Sequence, residues 1–106
     1  MNALTKLPQR VSLRLFIAGS TSSSEKAKAA LRMVCDDLRA RQPDMDVSLN
    51  VIDVLTDPDS ALMEQVFATP TVIRVSPGPS RRLFGDLSSP EMVMIGLQLS
   101  PALQPA

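Results

Sequence analysis

A thiol, a pair of carboxylates and a hydroxyl-rich loop are the groups in this chain that could do chemistry. Its single cysteine is Cys35. A catalytic thiol needs its pKa lowered, as at a helix N-terminus or beside a cation. Cys35 falls about three turns into the expected first helix, on its apolar stripe, where a thiol packs as a small hydrophobe. The place where a strand hands over to that helix reads Gly19-Ser20-Thr21-Ser22-Ser23-Ser24, with hydroxyls and no thiol. Such a loop could hold an anion at the helix end, but helix capping accounts for it more simply. Asp53 and Asp57 are near enough in sequence to suggest an acid–base pair. Their settings fit a strand end and a helix cap better. With no histidine in the chain, Ser-His and Cys-His nucleophiles are excluded, as are the commonest zinc sites. No phosphate-binding glycine loop is present, and the six scattered methionines read as core filling. Catalysis has no residue to rest on, and no cofactor is implied.

These residues sit in an alternation of strand and helix patterns. Val11, Leu13, Leu15 and Ile17 alternate with Ser12, Arg14 and Phe16, which predicts a strand closed by Ala18-Gly19. Ser22 followed by Glu25 predicts a capping box opening a helix. Ala27, Ala30, Leu31, Val34, Cys35 and Leu38 form its apolar face, and Pro43 marks its latest end. Val47 to Val54 reads as a second strand. Asp57-Pro58 opens a second helix, with Leu62, Met63, Val66 and Phe67 as its expected buried stripe. Pro70 ends that segment and biases Thr69 toward an extended backbone. Thr71 to Val75 is a third strand, Ser76 to Ser80 a turn, and Arg81 to Phe84 a short antiparallel fourth strand closed by Gly85-Asp86. Ser89-Pro90 opens a last helix. Met92 to Leu97 is apolar all round and does not itself choose helix or strand; the cap signals choose helix. The order is a single α/β domain, βαβαββα, with a parallel first half. This is the thioredoxin-like arrangement, and Pro70 falls where that fold places its cis-proline, facing the start of helix one.

The 106 residues fit one domain, with residues 1–10 a flexible lead, 11–99 the folded unit and 100–106 a disordered Pro/Ala/Gln-rich tail. Aromatic content is 3%, all of it phenylalanine, so the core must be largely aliphatic. Eleven basic and eleven acidic side chains give no general attraction to nucleic acid or acidic lipid. The charge is uneven, however: residues 1–35 hold six bases and one acid, while 36–64 hold two bases and eight acids. That distribution fits solvated faces or a bipolar surface for a patterned partner. The lone cysteine suits a reducing compartment, and no run approaches membrane-spanning length. The expectation is a cytoplasmic, soluble protein.

Several blocks in order and register carry a resemblance: Leu13 to Gly19, Val51 to Leu55, Ala68-Thr69-Pro70-Thr71, Arg81 to Ser88, and Ile95-Gly96-Leu97. Over roughly residues 11–99 the sequence resembles the KaiB family of circadian-clock proteins. The resemblance implies a non-enzymatic adaptor that binds the ATPase ring of a KaiC-like, RecA-type hexamer. A histidine kinase or a KaiA-like protein are the further partners it suggests. It also implies two folds for one sequence: a thioredoxin-like monomer that binds KaiC, and a βαββααβ form that assembles into tetramers, so a homo-oligomer is expected in one state.

By the same resemblance, Arg74, Arg81 and Arg82 match a basic set expected to face the ATPase. Pro70, Gly85, Asp86 and Gly96 match positions in or near the switching segment, where a folding role is expected. Gln65 stands where relatives often carry lysine, the acidic C-terminal tail is missing, and Val11 and Phe16 replace tyrosines. These departures point to a divergent member working without KaiA. Two other classes stay open: a stand-alone sensory domain of the same shape, and a thiol-disulfide enzyme, against which the serine loop speaks.

Overall fold

The computed structural model describes residues 10–99. The expected tail, 100–106, and the expected lead, 1–10, apart from Arg10, lie outside the described residues. Within them the order is β1 (Arg10–Ile17), α1 (Ser22–Arg41), β2 (Asp46–Asp53), α2 (Pro58–Met63), β3 (Thr71–Ser76), β4 (Arg81–Phe84) and α3 (Pro90–Gly96). One sheet runs β2-β1-β3-β4. β1 pairs parallel with β2 and antiparallel with β3, and β4 pairs antiparallel with β3. The expected thioredoxin-like βαβαββα fold is the observed one, and the Thr69-Pro70 peptide is cis. The peptides before Pro77 and Pro79 are also cis.

Period-two alternation divides the sheet into two unlike faces. Val11, Leu13, Leu15 and Ile17 of β1 point one way, with Val47 and Val72, into the main core built with Ala27, Leu31, Val34, Cys35 and Leu38 of α1 and Val93, Met94 and Leu97 of α3. On the opposite face Phe16, Ile52 and Ile73 meet only Ala61 of α2, with Val54 and Val66 packed against them. Along β1 and β2 the rest of that face is Arg10, Ser12, Arg14, Asp46, Ser48 and Asn50 by register, so these strands offer little apolar area for a helix to cover. The core is aliphatic apart from Phe16; the other two phenylalanines, Phe67 and Phe84, are exposed.

Two sequence expectations need correction. The N-cap of α1 is Thr21 rather than Ser22: its hydroxyl accepts from the Ser24 amide at 3.2 Å. A run of serines and threonines offers several equivalent caps, and burial decides among them. Ser24 is the hydroxyl drawn inside, where it meets the Ala18 backbone. The second correction is larger. α2 stops at Met63, and Leu62, Met63 and Phe67 are exposed, Leu62 to 72% and Phe67 to 86%. Of the expected buried stripe only Val66 is even partly buried, and the residue α2 does bury, Ala61, is not part of it.

Both short helices end alike. The Val66 amide donates to Ala61 O and the Gln65 amide to Leu62 O; in α3 Leu99 donates to Met94 O and Gln98 to Ile95 O. Gln65 and Gln98 both sit at φ 57°. This is the Schellman closure, with glutamine in the left-handed position that glycine usually takes.

Candidate functional site

The strand–helix junction is closed on itself. Thr21 Oγ1 donates to Ser24 Oγ at 2.8 Å, and Ser24 Oγ accepts from the Ala18 amide at 3.2 Å. Capping thus employs the hydroxyls nearest the helix end. The register Phe16↔Thr71 sets buried Pro70 beside the end of β1 from which this loop leaves. Asp53 and Asp57 do not act as a pair. Asp53 Oδ1 accepts from the Gly19 and Leu55 amides, both at 3.0 Å. Asp57 caps α2 through the Ser60 amide and hydroxyl, and these hydrogen bonds hold its carboxyl below the usual aspartate range. Cys35 is buried, and burial pushes its thiol up, the opposite of nucleophile activation. Among the described residues there is no group of His, Cys, Asp or Glu fit to hold a metal.

The three arginines singled out in the sequence do not form one patch. Arg74 pairs across strands with Arg81, and Arg82 with Ile73, so Arg81 and Arg82 lie on opposite faces of the edge strand β4. Arg74, at two residues from core Val72, is itself buried at 7% exposure. Its Nη1 donates to Leu97 O at 2.7 Å and its Nη2 to Pro79 O at 2.9 Å, while Nε has no partner among the described residues. Burial, and secondarily the Arg81 charge, push its guanidinium pKa down. Arg81 Nε donates to Gly96 O at 2.7 Å. Arg82 donates to Gln65 O at 3.0 Å and Glu64 O at 2.8 Å. Each guanidinium therefore meets carbonyls left without helical partners at the C-terminal end of α2 or α3, where a cation also suits the helix dipole. Arg81 and Arg82 remain exposed and keep donors free for a second acceptor.

Two residues that sequence reasoning did not single out join this arrangement. Arg14 forms a two-pronged ion pair with Glu64, its Nε donating to Oε1 at 3.0 Å and its Nη2 to Oε2. Its guanidinium also stands 5.7 Å from the Phe16 ring. A charged residue in the middle of an interior strand was the available signal, since such a group needs a partner. An open groove of ≈ 400 Å³ lies between Val54, Pro58, Ala61, Phe67 and Thr69. Phe84, on the Arg82 face by register, is also exposed.

Gly85, Asp86 and Gly96, for which the resemblance implies a folding role, have local roles in this fold. Gly85 has φ +104°, a conformation that side-chain-bearing residues rarely adopt. Asp86 accepts from the Ser88 amide and hydroxyl, which hold its carboxyl below the usual range. Gly96 lets α3 sit against Leu83: a Cβ there would lie 2.8 Å from Leu83 Cδ2. No helix among the described residues is long and apolar enough to cross a membrane.

Residues 14–99 match the family model described as the KaiB domain. The circadian clock protein KaiB3 of Synechocystis sp. is 36% identical over 92 residues, covering 87% of this chain and 86% of the relative. The circadian clock oscillator protein KaiB of Prochlorococcus marinus (strain MIT 9313) is 41% identical over 87 residues, covering 82% and 70%. Among solved structures, the N-terminal domain of Synechococcus elongatus SasA superposes with a TM-score of 0.66 at 20% identity over 98% of both chains. Thioredoxin 1 of Thermosipho africanus gives 0.62, also at 20% identity, over 82% of this chain and 90% of its own. At those identities the structural likeness speaks for the fold alone.

Proposed function

The chain belongs to the KaiB family, and on that premise we propose that it is a non-enzymatic circadian-clock adaptor that docks on the ATPase ring of a KaiC-like hexamer. The observation that carries this reading is the family match across 14–99, with clock proteins about 40% identical over most of the chain. The site supports it by what it offers instead of chemistry. The loop that would need a nucleophile is occupied by caps, and the one thiol is buried. What faces outward is a β4 edge carrying Arg81 on one face and Arg82 with exposed Phe84 on the other, and, lining the groove at α2, exposed Phe67 and Leu62. Exposed aromatic and arginine side chains around a groove are the composition of a protein interface.

In this reading Arg81 and Arg82 touch the partner, while Arg74 contributes from below by holding the end of α3. The described arrangement is the binding form, and a βαββααβ oligomer is its resting alternative. Pro70, Gly85, Asp86 and Gly96 lie in the half that rearranges. A histidine kinase or KaiA-like protein would compete for or join the same complex, all within the cytoplasm.

A pull-down with a KaiC-type ATPase, with ATP or ADP bound, tests the reading. Retention that depends on the nucleotide is expected, with Arg81→Glu weakening it at least about ten-fold through like-charge repulsion and lost steering. No retention in either nucleotide state would sink the adaptor assignment. Full retention by Arg81→Glu would remove Arg81 from the interface.

A further inference from the structure

α2 is bound to the sheet by an unusual balance of forces. A surface helix is ordinarily held by an apolar stripe, yet α2 buries only Ala61 and leaves Leu62 and Met63 exposed. What grips it is polar. The register places Arg14, Ile73 and Arg82 in one row across β1, β3 and β4, on the same face. The two arginines on either side of Ile73 converge on the C-terminal end of α2: Arg14 on the Glu64 carboxylate, Arg82 on the Glu64 and Gln65 carbonyls. The Arg14 and Glu64 side chains are 30% and 29% exposed, so solvent and salt reach the pair. Underneath lie Phe16, Ile52 and Ile73, shielded from water.

We infer that Arg14 and Arg82 form a latch, and that α2 with the 64–69 turn is a strap that lifts from the sheet as a unit when the latch opens. The rest of the sheet and the α1–α3 face stay closed during this opening, because their apolar packing does not depend on it. Lifting bares Phe16 and Ile73 and frees the guanidinium groups of Arg14 and Arg82 for another acceptor. The latch belongs to the free protein and does not rest on the clock reading: a protein that failed every pull-down would still have it.

Native-state hydrogen exchange of the isolated full chain measures it. The Glu64 amide, bonded to Ser60 O, and the Gln65 and Val66 amides, which close the Schellman turn, report the strap; the amides of Leu31 and Val34 in α1 report the packed face. Glu64→Gln, which keeps the shape and removes the charge, is expected to speed strap exchange about three- to ten-fold and leave α1 exchange unchanged. Arg82→Met should do the same. In the unsubstituted protein, raising NaCl from about 0.05 to about 0.5 M should speed strap exchange and not α1 exchange, through screening of the exposed pair, and this arm needs no variant to fold. In Glu64→Gln the salt effect should vanish. Equal acceleration of strap and α1 amides would mean that Glu64 merely supports global stability, and would overturn the latch. Salt-independent strap exchange in the unsubstituted protein would overturn it as well.

Discussion

On one face of the sheet α1 and α3 enclose Leu15, Leu31, Val34 and Leu97 completely; on the other, α2 buries a single alanine and leaves Leu62 and Met63 in water. The two faces come from the same strands, so their difference lies in alternate residues of β1 and β2. Odd positions of β1 are Val, Leu, Leu and Ile, while its even positions are Arg, Ser, Arg and Phe. The first set calls for an apolar lid and receives two helices. The second offers Phe16 and a charge, and receives a short helix held largely through arginines. A domain of this size can thus keep a fixed half and a releasable half, the latter over a second cluster of only a few buried residues.

The sharpest way to break that comparison is to truncate one leucine on each side. Leu31→Ala removes a side chain with no exposure at the centre of the main core, and should cost roughly 3 kcal/mol, within the range of such truncations. Leu62→Ala, at 72% exposure, should change stability by less than about 0.5 kcal/mol. Urea denaturation followed by far-UV circular dichroism reads both. If the two losses came out equal, α2 would be packed as firmly as α1, and the contrast between the faces would be gone.

A smaller effect is expected from Arg74, which carries the polar solution onto the packed face. Arg74→Met keeps the buried stem but leaves the Leu97 and Pro79 carbonyls without their guanidinium donors. The expected loss is about 2 kcal/mol, the scale for hydrogen bonds to a charged group, and it comes mainly from the buried Leu97 end, because exposed Pro79 can turn to water. The same substitution relieves the burial that depresses this guanidinium, which keeps the loss from being larger. The denaturation midpoint should fall with an unchanged slope. A midpoint that did not move would mean that the end of α3 finds water in place of Arg74.

Much of this architecture is legible in the order of the amino acids. Alternation marks the strands within one residue or so, Asp57-Pro58 and Ser89-Pro90 mark two helix starts, and Pro70 marks the entry to β3. The exposure of α2 is harder to read, because the spacing of Leu62, Met63, Val66 and Phe67 fits a helix whether or not anything lies beneath it. The answer sits in other residues: Ser12, Arg14, Ser48 and Asn50 share one face and leave too little apolar sheet to cover a stripe. Arg74 is readable in the same way, since it is two residues from Val72 on an interior strand and must point into the core. The Arg14–Glu64 pair, fifty residues apart, is out of reach of local reasoning. Only the sheet order brings β1 beneath the end of α2.

The smallest effect belongs to Gly96, and its sign tests how rigid the packed face is where α3 meets β4. Alanine favours a helix over glycine by up to about 1 kcal/mol, less at a final residue. The φ of Gly96 lies outside the left-handed region, so alanine meets no backbone strain there. Against this gain, the new Cβ would stand 2.8 Å from Leu83 Cδ2 and 3.0 Å from Cδ1. Those atoms are the far end of a half-buried side chain, which can turn aside at modest cost. The two effects should nearly cancel, leaving Gly96→Ala within about 0.5 kcal/mol of the unsubstituted protein. Gly96→Leu has no such escape and should lose about 1–3 kcal/mol by overpacking. Should alanine already cost as much as leucine, Leu83 must be fixed in place, and the fixed half of the domain would extend through β4 to its edge.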